Sequence, residues 1–360
     1  MEELIAEVFE LIKDYRADEL LPQVRMSKTR IKRWIEQFDE DDRSFMLTEL
    51  KKIFGELYCS KAHVKKFLKK VVDRLTKDLG YKSAHDFLKM TIFLDLQSRR
   101  KSQKVMLKLL SELLAESYEF NIQECGTVQK KHFIYIDDIL CTGNTLIRDI
   151  EDWSGKPYSP GKTNLEAIKD KTSELIFAYI FIHKKNYDKK VIEMRHKIDS
   201  SISANHKMYR LKSIQNDEKR ADSILDIILP VETDDEQVSD YKAKIIAEVD
   251  EYTKKYGKNS SEEFFRKTGR PTKETLFTSP ENRNRFETIL LKKGIEILDR
   301  TKTKKKNMRA LGYCLPSQKS FGFGTLCLTW RNIPNNTPLV FWYAAGEFYP
   351  LFVKNQTNEL

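Results

Sequence analysis

The sequence predicts an α/β fold with a parallel sheet, a helical N-terminal subdomain and a C-terminal α+β cap, and three observations predict it. Short strand-forming runs at 91–96, 133–136 and 174–182 alternate with stretches of helical apolar spacing, the order that builds parallel sheets. Apolar residues in the first ~80 positions recur at i, i+3, i+4 and i+7, as on one face of a helix. The last ~50 positions hold aromatics among glycines and prolines with no helical period, which reads as short strands and turns.

Taken in order, the chain opens on an amphipathic helical pattern at Met1. Ile31, Trp34, Ile35 and Phe38 form one apolar stripe, and Phe45, Leu47, Leu50, Ile53, Phe54 and Leu57 form the next. Ser27 is placed to cap the helix carrying Trp34 and Phe38, which read as core anchors with the lysines turned to water. Residues 1–88 are therefore expected as a helical subdomain and 89–230 as the α/β core. Residues 231–310 read as a helical insertion with helices at 240–255 and 283–298, Arg285 and Glu287 lying on an exposed face. Residues 311–360 read as the cap. The stretch 187–228 is charged and helical in character.

The chemistry concentrates in residues 133–145, Phe-Ile-Tyr-Ile-Asp-Asp-Ile-Leu-Cys-Thr-Gly-Asn-Thr. Four β-branched or aromatic residues read as a buried parallel strand, which places Asp137 and Asp138 at its carboxyl end, the edge where open α/β sheets bind ligands. Thr142 and Thr145 flank Gly143, which permits a tight turn, and Leu146, Ile147 and Ile150 continue with helical spacing. A helix starting there offers unpaired N–H groups, a positive dipole end and two hydroxyls to a phosphate. The two carboxylates are suited to a pair of ribose hydroxyls or a metal ion. Phosphate donors beside carboxylates describe a sugar-phosphate site.

This motif resembles the phosphoribosyl-diphosphate motif of the type I phosphoribosyltransferases: four apolar residues, two acids, a short variable stretch and Thr-Gly-X-Thr. The resemblance implies the sheet topology of that fold. It implies that Asp137 and Asp138 bind the ribose hydroxyls and oppose charge developing at the anomeric carbon, and that Thr142, Gly143, Asn144 and Thr145 hold the 5′-phosphate. In that family the loop after an earlier strand holds the diphosphate, which here selects Ser98, Arg99, Arg100, Lys101 and Ser102, with Mg2+ as cofactor. The end of a later strand borders the base, which selects His183 and Lys184. The long catalytic loop and the glycine-marked diphosphate loop of the standard transferases are not recognisable, so a module that binds a nucleotide or nucleic acid without turnover is an alternative.

A rival motif uses the same residues. Tyr135-Ile136-Asp137-Asp138 resembles the Tyr-X-Asp-Asp signature of polymerases, in which a hairpin holds paired aspartates on two metal ions. That motif needs a second strand directly after the aspartates, where this sequence has a helical pattern.

Beyond the motif, residues 33–38, Ser279-Pro280-Glu281-Asn282-Arg283, Leu311-Gly312-Tyr313, Gly322-Phe323-Gly324 and the Pro-Asn-Asn-Thr-Pro turn before Phe341-Trp342 resemble the phosphoribosyltransferase-like proteins of bacterial conflict systems. Members occur in antiphage loci, including those of some retrons, with a reverse transcriptase, its RNA and DNA, and a winged-helix protein. The resemblance implies an effector held in check by such partners.

Composition sets outer limits. The net charge of +10 favours anionic partners without naming them, and the basic clusters at 61–70, 184–190 and 302–309 each read as a solvated face. Five scattered cysteines with no Cys-X-X-Cys pair suggest a reducing cytoplasm, and no apolar run approaches the ~20 residues that cross a bilayer. The Gly155–Thr163 stretch imitates a nucleotide P-loop, but five residues separate its glycines instead of four and two prolines remove phosphate-binding amides, so it reads as a surface loop.

Overall fold

Continuous runs such as Leu175-Ile176-Phe177-Ala178 suit strands buried on both faces, and such strands form the centre of the sheet. The computed structural model describes residues 1–98, 101–217, 219 and 224–354. It divides into two compact units, Lys61–Ile214 and the described residues of Met1–Ser60 with Gln215–Leu360.

The first unit opens with helices α1 (Lys61–Asp78) and α2 (Ala84–Lys89), followed by strand β1 (Thr91–Phe93) and helix α3 (Ser102–Tyr118). Strand β2 (His132–Leu140) leads into α4 (Asn144–Ser154), and α5 (Asn164–Lys169) into β3 (Glu174–His183). Helices α6 (Lys184–Lys197) and α7 (Ser200–Asn205) precede β4 (His206–Ile214). The sheet order is β1-β2-β3-β4 and every pairing is parallel, with Phe93 opposite Ile134, Asp137 opposite Tyr179 and His183 opposite Ile214. Phe133, Tyr135, Phe177 and Tyr179 share one buried cluster with Ile147, Ile150 and Trp153 of α4. Helix α4 is thus seated by its apolar stripe directly on the strand carrying the aspartates.

Several local expectations change. Strand β2 continues past Ile136 to Leu140, because Ile139 and Leu140 extend the ladder against Phe181 and Ile182; Asp137 and Asp138 therefore lie inside the strand. The stretch expected to be helical at 187–228 contains β4, in which only Ile214 is buried, as suits a strand at the sheet edge. The P-loop imitation is a small antiparallel hairpin, Pro157–Ser159 with Lys162–Thr163, turning at Gly161 with φ +74°. The first junction between the two compact units falls at Ser60/Lys61, and Val64, Leu68, Val72 and Leu75 of α1 are buried.

In the second unit the aromatics expected as a cap fill a core with the N-terminal helices. Trp34 is fully buried, donates from Nε1 to the Val340 carbonyl at 2.8 Å and stacks on Phe341 at 5.6 Å between centroids, while Tyr15 meets Phe352 edge-on at 4.8 Å. Ser27 caps its helix through the Arg30 N–H, as expected. The two long helices are Glu236–Tyr256 and Pro280–Asp299. Glu287 does not face water. It is wholly buried between Arg266 and Arg283, and Arg283 also reaches Glu274 and the carbonyls of Leu225 and Ile227. Two guanidinium partners are what permit burial of this carboxylate. Arg285 does sit at the surface, paired with Asp42.

Candidate functional site

The site begins with a glutamine. Gln103, in the first turn of α3, accepts the backbone N–H groups of Leu96 and Gln97 on its Oε1 at 2.8 and 3.0 Å and so fixes the turn leaving β1. Gln97 then donates from Nε2 to Asp137 Oδ2 at 2.8 Å and to Tyr135 Oη at 2.7 Å. Ser102, the first residue of α3, donates from Oγ to Asp137 Oδ1 at 2.6 Å, and that oxygen also accepts the Asp138 N–H at 2.9 Å. Both carboxylate oxygens of Asp137 are therefore engaged. Burial, and next the neighbouring Asp138 charge, push the Asp137 carboxyl up to about 7, so near neutrality it is poised to hold or release a proton. Asp138 is also buried and accepts the Ile139 N–H on Oδ1 at 2.7 Å.

Tyr135 links this pair to helix α4. Its hydroxyl donates to Asp149 Oδ2 on α4 at 2.9 Å, and Arg148 Nη2 holds the other Asp149 oxygen at 3.0 Å. Buried polar chains of this kind fix geometry, and in this one the Gln103 Nε2 is left without a hydrogen-bond partner among the described residues.

The turn itself has the form the motif predicts. Gly143 occupies the N-cap of α4 with φ +73°, no side chain caps the helix, and no acidic residue stands in its first turn. Asn144 and Thr145 are exposed and Thr142 is half-buried. A Cβ at position 143 would meet Lys190 Cγ at 2.6 Å, so glycine is required here by backbone angle and by space. Lys190, from α6, lays its stem over this glycine and donates from Nζ to Asn144 Oδ1 at 2.6 Å and to Glu193 Oε2 at 2.6 Å.

The remaining candidates are dispersed. Ser98 and Lys101 are exposed, and the Lys101 N–H donates to the Ser98 carbonyl at 3.1 Å; Arg99 and Arg100 lie outside the described residues. Ser102 contacts Asp137, the carboxylate itself. His183 is fully buried at the end of β3, bonded through Nδ1 to the Leu140 carbonyl at 2.8 Å, and burial lowers its pKa to about 4, so it is neutral and joins the ends of β2 and β3. Lys184 is exposed and paired with Asp188. Among the described residues no group of three or more His, Cys, Asp or Glu side chains is placed to hold a metal ion. A magnesium ion at Asp137 and Asp138 would need most of its oxygens from a ligand. The polymerase hairpin is not formed, since both neighbours of β2 are parallel and the chain enters α4 after the turn.

Sequence reasoning missed Gln97, Asp149 and Lys190. Lys190 had a signal, the basic run after β3, but its pairing across to Asn144 depends on how α6 packs on α4.

A parallel sheet whose second strand carries adjacent acids and runs through a glycine N-cap into a helix is the architecture of a phosphoribosyltransferase-like α/β protein. The family model described as PRTase-CE matches residues 31–354, and the chain belongs to that family. No curated protein and no solved structure matches the chain. The family match spans both compact units, beyond the motif alone.

Proposed function

We propose that the chain binds a ribose 5-phosphate ligand, phosphoribosyl diphosphate or a nucleotide, and transfers or cleaves at its anomeric carbon as an effector of an antiphage system. The observation that carries the reading is the uncapped N-terminus of α4 at Gly143, set on the strand that presents two adjacent carboxylates. In this reading the N–H groups at 144 and 145 and the Thr142 and Thr145 hydroxyls hold the 5′-phosphate, and Lys190 adds a charge. Asp137 and Asp138 face the ribose hydroxyls and oppose positive charge on the ring, and Mg2+ accompanies the diphosphate beside Ser98 to Ser102. His183 and Lys184 stand on the base side, His183 through its hold on Leu140. The likeness to conflict-system proteins supports the effector role, with a reverse transcriptase, its nucleic acid and a winged-helix protein as partners.

A second reading, a nucleotide- or nucleic-acid-binding module without turnover, is favoured by one observation: Ser102 and Gln97 already occupy both oxygens of Asp137. Incubation with phosphoribosyl diphosphate or a nucleoside monophosphate, followed by assay for diphosphate or free base, separates the two. Product absent from wild type and Asp137→Asn alike, with binding intact, would establish the binding module.

Lys190→Met should weaken ribose 5-phosphate about tenfold or more, the value of one charge-assisted hydrogen bond, and should leave binding of ribose without phosphate unchanged. Equal affinity of both proteins for ribose 5-phosphate would remove Lys190 from the phosphate site.

A further inference from the structure

Strand β4 forms the edge of the sheet, pairing with β3 on one side and with no described strand on the other. Beside it one stripe of α1 completes an open groove of about 590 Å³. The floor is apolar: Phe67 and Val71 from the helix, and Tyr209 and Leu211 from the strand, with Leu211 45% exposed. The rim is mostly cationic, and its one lining acid, Asp73, is paired with Lys69 at 3.1 Å. Arg74 is held by Asp78 at 2.8 Å, while Lys70, Lys77 and Arg210 make no ion pair among the described residues.

We infer that this groove takes an extended, acidic segment of a partner protein, added as a fifth strand along β4. Three features select that occupant. A strand laid on an unpaired edge makes main-chain hydrogen bonds, and alternate side chains drop toward the apolar floor, which is how β-strand addition joins affinity to specificity. The unpaired cations at the rim complement carboxylates on the other side chains, and they oppose edge-to-edge pairing of two copies by placing like charges together. The aromatics are poorly placed for stacking nucleic-acid bases, because Phe67 is almost wholly buried and the Tyr209 hydroxyl is tied to Asp78 at 3.2 Å. The groove lies on residues outside the sugar-phosphate site, so the inference stands whether or not that site turns over.

The test is fluorescence anisotropy with the full chain and a labelled pool of nine-residue peptides in which glutamate or aspartate alternates with varied apolar residues. Saturable binding is expected. It should weaken about tenfold or more in the double variant Lys70→Glu with Lys77→Glu, whose exposed positions leave the melting temperature unchanged, and vanish for peptides N-methylated at alternate amides. Hydrogen exchange should slow at residues 207–213 when the pool is bound. No binding of the acidic pool would overturn the inference. So would binding that survives N-methylation, or tighter binding of an oligothymidylate of equal charge lost in the same double variant, which would make the groove a nucleic-acid site.

Discussion

Glu287→Ala should lower the stability of the unit built from the chain's two ends by about 3–5 kcal/mol, the cost of leaving buried guanidinium groups without their partner. Arg266 and Arg283 are each almost wholly buried, and Glu287 binds both. Glu287 also accepts the Leu229 N–H, while the arginines hold the carbonyls of Leu225, Ile227 and Leu229, so its removal loosens the strand-like segment threading past the helix Pro280–Asp299. Urea unfolding followed by tryptophan fluorescence reports this unit, since Trp34, Trp330 and Trp342 lie in it and only Trp153 lies in the other. A shift below 1 kcal/mol would mean that the charges are not buried as the structure places them. Sugar-phosphate binding should persist in folded Glu287→Ala protein.

Asp137→Asn should make the protein more stable at pH 8 and abolish function. The folded carboxyl has its pKa raised to about 7 by burial and by Asp138, so between the ordinary aspartate pKa and 7 the folded chain binds a proton that the unfolded chain has released. Its stabilising effect is fully present below the unfolded pKa and is lost as pH rises through about 7. Asparagine does not titrate; with its amide turned toward Gln97, whose own side-chain amide can flip to accept it, the remaining oxygen keeps the Ser102 hydroxyl and the Asp138 N–H as donors. The wild type should therefore melt at falling temperature between pH 5 and pH 8, and the variant should show a flatter profile. A carboxylate retained at that cost is expected where charge is used, as in opposing a positive ribose ring. Parallel profiles for the two proteins would show that Asp137 titrates normally and is not held in the interior.

How much was legible follows from the range of the interactions concerned. The strand, the acids and the glycine turn into the helix were readable because all lie within residues 133–145, and local spacing places them with no help from the rest of the chain. Trp34 and Phe38 were readable for the same reason, as one helical stripe. The end of β2 was misplaced because carboxylates look like strand breakers, while the ladder from Ile139 and Leu140 to β3 carries the strand through them. Strand β4 was hidden because an edge strand needs little apolar content, and its lysines and arginine resemble a solvated helix. Glu287 and Lys190 depend on partners 21 and 46 residues away in sequence, Arg266 and Asn144, and no periodicity encodes such pairings. The union of Met1–Ser60 with the C-terminal part is the extreme case, resting on contacts such as Trp34 to Val340 across 306 positions.

The most direct test of the sugar-phosphate reading is calorimetric titration of magnesium phosphoribosyl diphosphate, with a nucleoside monophosphate as second ligand, into wild type and Asp138→Asn. Saturable heat in the wild type for at least one ligand, lost in Asp138→Asn while the variant melts as a folded protein, is the predicted result. Absence of binding to the wild type, or equal binding to both proteins, would contradict a ribose-phosphate site at this strand and turn.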